Sequence, residues 1–381
     1  MGPVLEQFRL EPQASGLVHL VFDAPGRTMN VFSNAAIHEL GVVAAWFAES
    51  DARGMVIRSG KPNAFCAGAD LSELGVAYDM IVAAPPRARF NIAFDHFFPL
   101  SAALRALETS GKPVAAAIGG LALGGGCELA LAAHRRVLVD DPRVAMGLPE
   151  SLVGLLPGAG GTQRLPRLIG VTASLPILLD GARLSGAAAK AAGLVDELAA
   201  PGDEVAAAEA WLLSDPQPVQ PWDRAGWTSP SGPQIPAARA RVSRETRGRY
   251  LAPIAILDCL EFGLPQSFDG AIRSEMAIFA HLIQRPEPRN MIQTLFLGKT
   301  DYDRAARAGG LPAFVAEVVA AAQATAGDFE DLEVLRRVGA AVEPWRAGAA
   351  PGDLRMADYA VVKETGYPAY LGGPFTYSRS S

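Results

Sequence analysis

Between residues 116 and 126 an apolar run, AAIGGLALGGG, contains five glycines, and CELALAAH follows at once with a single carboxylate, Glu128, among alanines and leucines. Glycine weakens a helix or strand interior by about 0.5–1 kcal/mol relative to alanine. Five together therefore confine the chain to a buried strand, a tight turn and the start of a new helix. A helix opening near Gly126 points its free N–H groups and its positive dipole end at whatever occupies the turn. Glycine also lets a ligand approach the backbone closely.

A second turn of this kind is NAFCAGADLSEL, residues 63–74. Its Ala-Gly-Ala leaves backbone N–H groups unshielded, and Asp70 with Glu73 has the D-x-x-E spacing of a capping box, which predicts a helix start. N–H groups from two separate loops suit one substrate oxygen acquiring enolate charge; losing one such donor typically costs about 2.7–4 kcal/mol of transition-state stabilisation. The plainer reading is that each turn only packs a helix on a strand. Neither turn has the spacing of a P-loop or of a dinucleotide fingerprint, and PGAGGTQ (157–163) follows a loop rather than a buried strand.

Glu150 follows in MGLPESLVGLLPGAGGTQRLPRLIG, again in apolar surroundings. Burial raises a carboxyl pKa and makes the group useful for proton transfer near neutrality. Two such acids can hold one water, one taking its proton and the other giving a proton to carbon. The competing reading of each is a salt-bridged residue at a helix start.

Around these motifs, GLVHLVFDAP (16–25), GMVIRSG (54–60), KPVAAAIGG (112–120) and RRVLVDDPRVAMG (135–147) read as strands. SNAAIHELGVVAAWFAES (33–50) reads as a helix capped by Ser33 or Asn34. The alternation predicts an α/β core. From about 170 the chain turns helical and alanine-rich. The proline-rich stretch 215–236 is incompatible with a continuous helix, and helical character resumes through 237–300. Residues 301–381 predict two helices around a loop at 344–352. The aromatic-bearing helical pattern of 83–107 suits either an acyl pocket or core packing.

Half of the 381 residues are hydrophobic, 19% are charged and the net charge is −6, with no basic stripe, which excludes a nucleic-acid footprint. The three cysteines give no disulfide framework and the five histidines no metal-ligand spacing. No stretch has the roughly 20 apolar residues of a membrane span. The expectation is a soluble, cytoplasmic protein with no metal. His134 reads as a partner of a helix C-terminus, and Cys66 and Cys127 as small core residues.

AFCAGADLSEL, GGLALGGGCELALAAH and LPESLVGLLPGAGGTQRLPRLIG, in this order and spacing, resemble the enoyl-CoA hydratase (crotonase) family over about residues 8–200. The resemblance implies a crotonase-like spiral of β-β-α turns that binds acyl-CoA, followed here by helical C-terminal extensions. It implies an oxyanion hole from the N–H groups of Ala67 and Gly125 and catalytic glutamates at Glu128 and Glu150. The substrate-binding positions it implies are Ala64, Phe65, Gly68, Ala69, Asp70 and Gly124, with Arg27 near the CoA phosphates. The implied reaction adds water to a trans-2-enoyl-CoA. The alternatives are a 3-enoyl/2-enoyl-CoA isomerase and a non-catalytic acyl-CoA-binding subunit.

LDGARLSGAAAKAAGLVDEL and RPEPRNMIQTLFLGK (285–299) extend the likeness to the hydratase half of multifunctional fatty-acid oxidation enzymes. No strand-GxGxxG-helix follows Lys299, so no NAD chemistry and no cofactor are expected. Residues 356–381 resemble the end of a 3-hydroxyacyl-CoA dehydrogenase portion. The expected domains are 1–200, 201–300 and 301–381. The expected assembly is a homo-oligomer, trimer or hexamer, with a thiolase or dehydrogenase as possible partner.

Overall fold

The computed structural model describes residues 2–62 and 64–380. The early chain alternates between two sheets. After the hairpin of β1 (Phe8–Pro12) and β2 (Val18–Phe22) comes helix α1 (Asn34–Glu49), and then three successive passes follow. β3 (Met55–Ser59), β5 (Val114–Ile118) and β7 (Arg135–Val139) enter a six-stranded sheet; β4 (Ala64–Cys66), β6 (Leu121–Leu123) and β8 (Ala145–Gly147) enter a four-stranded one. Helices α2 (Leu71–Ala83) and α3 (Pro86–Glu108) close the first pass, and α4 (Gly125–Ala132) closes the second. This is the β-β-α spiral expected from the sequence.

The larger sheet has the order β1-β2-β3-β5-β7-β10 and the smaller the order β4-β6-β8-β9, with β9 at Arg183–Ser185 and β10 at Glu197–Ala199. Among the described residues only β1/β2 and β8/β9 pair antiparallel. The strands β2, β5 and β8 are wholly buried, as a sheet covered on both faces requires. Because β4, β6 and β8 are parallel neighbours, their carboxyl ends lie side by side. The segments that follow them, 67–70, 124–126 and 148–150, are thereby brought to one edge. A Cβ on Gly126 would lie 2.2 Å from the carbonyl oxygen of Cys66, so only glycine allows α4 this close to the first turn.

The caps follow the sequence in part. Ser33 caps α1, accepting from Ala36 N at 3.2 Å. Asp70 caps α2 through Ser72 N at 3.0 Å, but Glu73 does not complete the box. Its carboxylate instead accepts from Asn34 N at 2.7 Å, tying the start of α1 to that of α2.

Helices α5 (Gly161–Ile169), α6 (Val171–Leu179), α7 (Gly186–Ala191), α8 (Glu204–Leu213), α9 (Ile235–Thr246), α10 (Leu251–Gly263) and α11 (Phe268–Leu282) complete this part. The described chain divides into two compact units, with the main break at 284/285. The first comprises residues up to 247 with 252–284, and the second comprises 248–251 with the chain from 285 onward. α11 therefore packs with the β-β-α core, chiefly along α3.

The second unit holds α12 (Pro286–Met291), α13 (Lys299–Arg307), α14 (Ala313–Thr325), α15 (Leu332–Val342), α16 (Pro351–Thr365) and α17 (Pro374–Ser380), more than the two helices expected after 300. Its core is built from Val318, Leu335, Val338, Val361, Tyr367 and Phe375. Buried Asp358 on α16 holds the first turn of α17, accepting from Phe375 N at 2.8 Å and Thr376 N at 3.1 Å.

Candidate active site

Glu128 stands in the first turn of α4 and is 2% exposed. One oxygen, Oε1, accepts from Ala159 N at 2.7 Å and Gly161 N at 2.8 Å. Both donors come from the glycine-rich loop that opens α5. Burial pushes the carboxyl pKa up to about 7, against the two hydrogen bonds and the Arg164 guanidinium, which favour the charged form.

Arg164 is itself wholly buried. It pairs with Glu108 of α3, Nε to Oε1 at 3.1 Å and Nη2 to Oε2 at 3.0 Å, and donates from Nη1 to Ala159 O at 2.8 Å. The residue that offers its N–H to Glu128 is thus held at its carbonyl by Arg164.

Glu150 begins a 3-10 turn, Glu150–Val153, after β8. Its Oε1 lies 2.9 Å from where a Cβ on Gly124 would stand, which puts the carboxyl against the turn that opens α4. Its Oε2 is buried and has no hydrogen-bond partner among the described residues. Burial, then the charges of Glu128 and Glu275, hold this carboxyl well above the ordinary carboxylate range. Two carboxyls of unequal environment therefore share one region: Glu128 accepts two N–H groups, whereas burial and neighbouring carboxyls favour the neutral form of Glu150.

The oxyanion donors differ from expectation at one position. Ala67 N–H donates to Asn30 O at 2.9 Å and is committed to the scaffold. Beyond it Gly68, with φ +98, turns the chain over, and a parallel bridge forms between Phe32 and Ala69. Phe32 N donates to Gly68 O at 2.8 Å and Asp70 N to Phe32 O at 3.0 Å, which leaves the N–H of Ala69 outside this ladder. It has no acceptor among the described residues, and Ala69 is exposed. The N–H of Gly125 belongs to the first turn of α4, where helix geometry supplies no internal acceptor. A Cβ on Gly68 would meet Gly125 N at 3.5 Å, so the two turns abut. Of the amides at these two turns, that of Ala67 is engaged, while those of Ala69 and Gly125 have no acceptor among the described residues.

Of the other expected substrate-binding positions, Ala64 and Phe65 are buried in β4 at 1% and 2% exposure. Gly124 is the N-cap of α4. Arg27 is paired with Asp70, so the two expected ligand contacts are engaged with each other, and Asp70 also caps α2. The thiols of Cys66 and Cys127 are buried and their pKa values raised by burial, Cys66 to about 12, as inert core residues require. His134 is not a charged dipole partner: burial holds its pKa down at about 4, its Nδ1 accepts from Val114 N at 3.1 Å, and its Nε2 is 3.1 Å from Glu108 O.

Sequence reasoning missed Glu275. It lies on α11, beyond the motifs, in SEMAIFAHL, where nothing in the local pattern separates it from a solvated helical glutamate. It is wholly buried, and its carboxylate accepts from Gly160 N at 2.6 Å and Thr162 N at 3.0 Å. Among the described residues no group of histidine, cysteine, aspartate and glutamate could hold a metal ion, and no helix is long and apolar enough to cross a membrane.

Residues 13–214 match the sequence profile described as enoyl-CoA hydratase/isomerase. The alpha subunit of the fatty acid oxidation complex of Shewanella halifaxensis is 34% identical over 310 residues, covering 79% of this chain and 42% of the relative. That of Shewanella loihica is 34% identical over 312 residues, covering 80% and 43%. The chain belongs to the enoyl-CoA hydratase/isomerase family, and it spans less than half the length of these curated relatives. Among solved structures, human mitochondrial delta3-delta2-enoyl-CoA isomerase aligns with a TM-score of 0.56 at 21% identity, covering 78% of this chain and 99% of that one. Enoyl-CoA hydratase from Bacillus halodurans aligns at 0.53 and 19%, covering 75% and 99%. These two likenesses show the crotonase fold.

Proposed function

We propose that the protein is an enoyl-CoA hydratase that adds water across the 2,3 double bond of a trans-2-enoyl-CoA to give a 3-hydroxyacyl-CoA. The observation that carries this reading is a pair of buried carboxyls in unequal settings: Glu128 accepts two backbone N–H groups, while Glu150, docked on the turn that opens α4, has an unpartnered oxygen among the described residues. The Ala69 and Gly125 N–H groups polarise the thioester carbonyl and stabilise the enolate oxygen as charge moves onto it. Glu128, stabilised as a carboxylate by Ala159 and Gly161, takes a proton from water as its oxygen bonds to C3. Glu150 delivers its proton to C2, and the water-derived proton then returns the pair to its starting state.

No cofactor enters this cycle beyond the CoA of the substrate. The family's fatty-acid oxidation relatives support an acyl chain of fatty-acid type. The test is turnover of a series of 2-enoyl-CoA chain lengths, followed by loss of the conjugated enoyl absorbance. Conversion of 3-enoyl-CoA without gain of oxygen would instead mark an isomerase.

A further inference from the structure

Four successive amides in the loop entering α5 alternate between two carboxylates. Ala159 N and Gly161 N go to Glu128, while Gly160 N and Thr162 N go to Glu275. The Thr162 hydroxyl also donates to Glu275, at 2.5 Å. Gly160 has a left-handed backbone (φ +93) at the N-cap of the nine-residue helix α5. Such a sequence of N–H groups forms an anion-binding concavity. Here it is shared between an acid of the β-β-α spiral and one supplied by α11, which lies beyond the 13–214 region matching the family.

We propose that Glu275 is a positioning residue of the active site: by fixing Gly160 and Thr162 from α11 it aims the N–H groups of Ala159 and Gly161 at Glu128. The inference rests on the reading of Glu128 as the base of hydration. Released from Glu275, the loop keeps the Arg164 bond to Ala159 O and the helix-start bonds to Gly160 O, but loses the two amide contacts that alternate with those to Glu128. The charged and titratable groups around Glu275 are Glu128 on α4, Glu150 on the 3-10 turn, Arg164 and Arg167 on α5, and Cys259 on α10. Glu108 of α3 faces the same region but is taken by Arg164. Arg167 is directed elsewhere, donating to Gln163 and to the carbonyl of Gly263. Glu275 makes no ion pair among the described residues, and once ionised its carboxylate adds negative potential at the Glu128–Glu150 pair and favours the retention of a proton there.

The test uses the full chain with Glu275→Gln, and with Thr162→Val as a second variant that keeps the carboxylate but removes its hydroxyl partner. Proton and nitrogen resonances of the Ala159 and Gly161 amides report the loop without any turnover. In wild type they have the downfield position of N–H groups bound to a carboxylate, and in a folded E275Q both move upfield. Hydration by E275Q then falls on the order of 10²-fold in kcat, the scale of a misplaced catalytic group, with KM nearly unchanged. The alkaline side of its pH–kcat profile changes, because in wild type the Glu275 carboxyl, pushed up to about 8, ionises there beside the two acids. T162V shifts the amides less and leaves the pH limbs in place. Unmoved amide resonances in folded E275Q would overturn the proposal, as would a rate loss that follows thermal stability with no change in the pH profile. If wild type hydrates no enoyl-CoA, the functional reading fails, while the amide resonances still decide whether Glu275 holds the loop.

Discussion

The carboxyl of Glu150 occupies the space that any side chain on Gly124 would need, its Oε1 lying 2.9 Å from the position of that missing Cβ. Glu150 is thus docked on the turn that launches α4, four residues before Glu128. The contact follows from strand order: β6 and β8 are parallel neighbours, with Leu123 opposite Gly147 and Gly124 N donating to Gly147 O at 3.0 Å. The residues following each strand are therefore adjacent whatever their separation in sequence.

Glu128→Gln and Glu150→Gln should each lower kcat by about 10²–10⁴, the usual effect of removing a proton-transfer group. The first substitution is a clean one. Both loop N–H groups donate to a single oxygen of Glu128, so the amide oxygen of glutamine can accept both. Steady-state kinetics with a short 2-enoyl-CoA check this, and an E128Q enzyme with wild-type kcat would refute the assignment.

A proline at 69 removes the N–H assigned to the oxyanion and no scaffold hydrogen bond. Ala69→Pro should cost 10²–10³ in kcat, about the loss seen when one oxyanion donor is deleted. Ala67→Pro breaks the bond to Asn30 instead and should act on stability. Parallel measurement of kcat and melting temperature separates the two; the reverse pattern would return the oxyanion hole to Ala67.

Arg164 and Glu108 are both fully buried and paired through two hydrogen bonds. Without Arg164 the Glu108 carboxylate keeps only Arg105 Nη1, at 3.1 Å, so Arg164→Met should destabilise in denaturant unfolding by somewhat less than the roughly 3–5 kcal/mol of a wholly uncompensated buried charge. The double variant with Glu108→Leu should recover a large part of that loss. Because Arg164 also holds Ala159 O, activity should not recover with stability.

Glu128 and Glu275 have folded-state pKa values raised by burial to about 7 and about 8, against roughly 4.3 for an unfolded glutamate. Between those values the folded chain binds more protons than the unfolded one. Their stabilising contribution is complete below the unfolded pKa and is lost as pH rises through the folded pKa. His134 has the opposite sign. Its pKa is depressed to about 4, so its contribution is present above the unfolded value near 6.5 and is lost as pH falls toward 4. The melting temperature of wild type should fall from about pH 6 to about pH 8, and E275Q should flatten that decline. A melting temperature that rises over this range would contradict the burial of the acids.

Much of this architecture was legible in the sequence because its signals are local. The apolar runs gave the strands, Ser33 its cap, and the clustered glycines the two turns and the start of α4. What escaped depended on partners far along the chain. Whether Ala67 or Ala69 offers a free N–H is decided by how Asn30 and Phe32 lie beside them, which no spacing within AFCAGAD reveals. Glu73 satisfies a capping-box pattern, yet Asn34 of another helix takes its carboxylate. Glu275 is indistinguishable in sequence from a surface glutamate until α11 is folded against the α5 loop.

The most direct test of the hydration mechanism is incorporation of labelled oxygen from water into a 2-enoyl-CoA by the purified chain. The two-carboxyl account predicts one labelled oxygen at C3, lost together with turnover in both E128Q and E150Q. Recovery of the enoyl-CoA unchanged, an isomerised product without label, or full incorporation by either variant would contradict it.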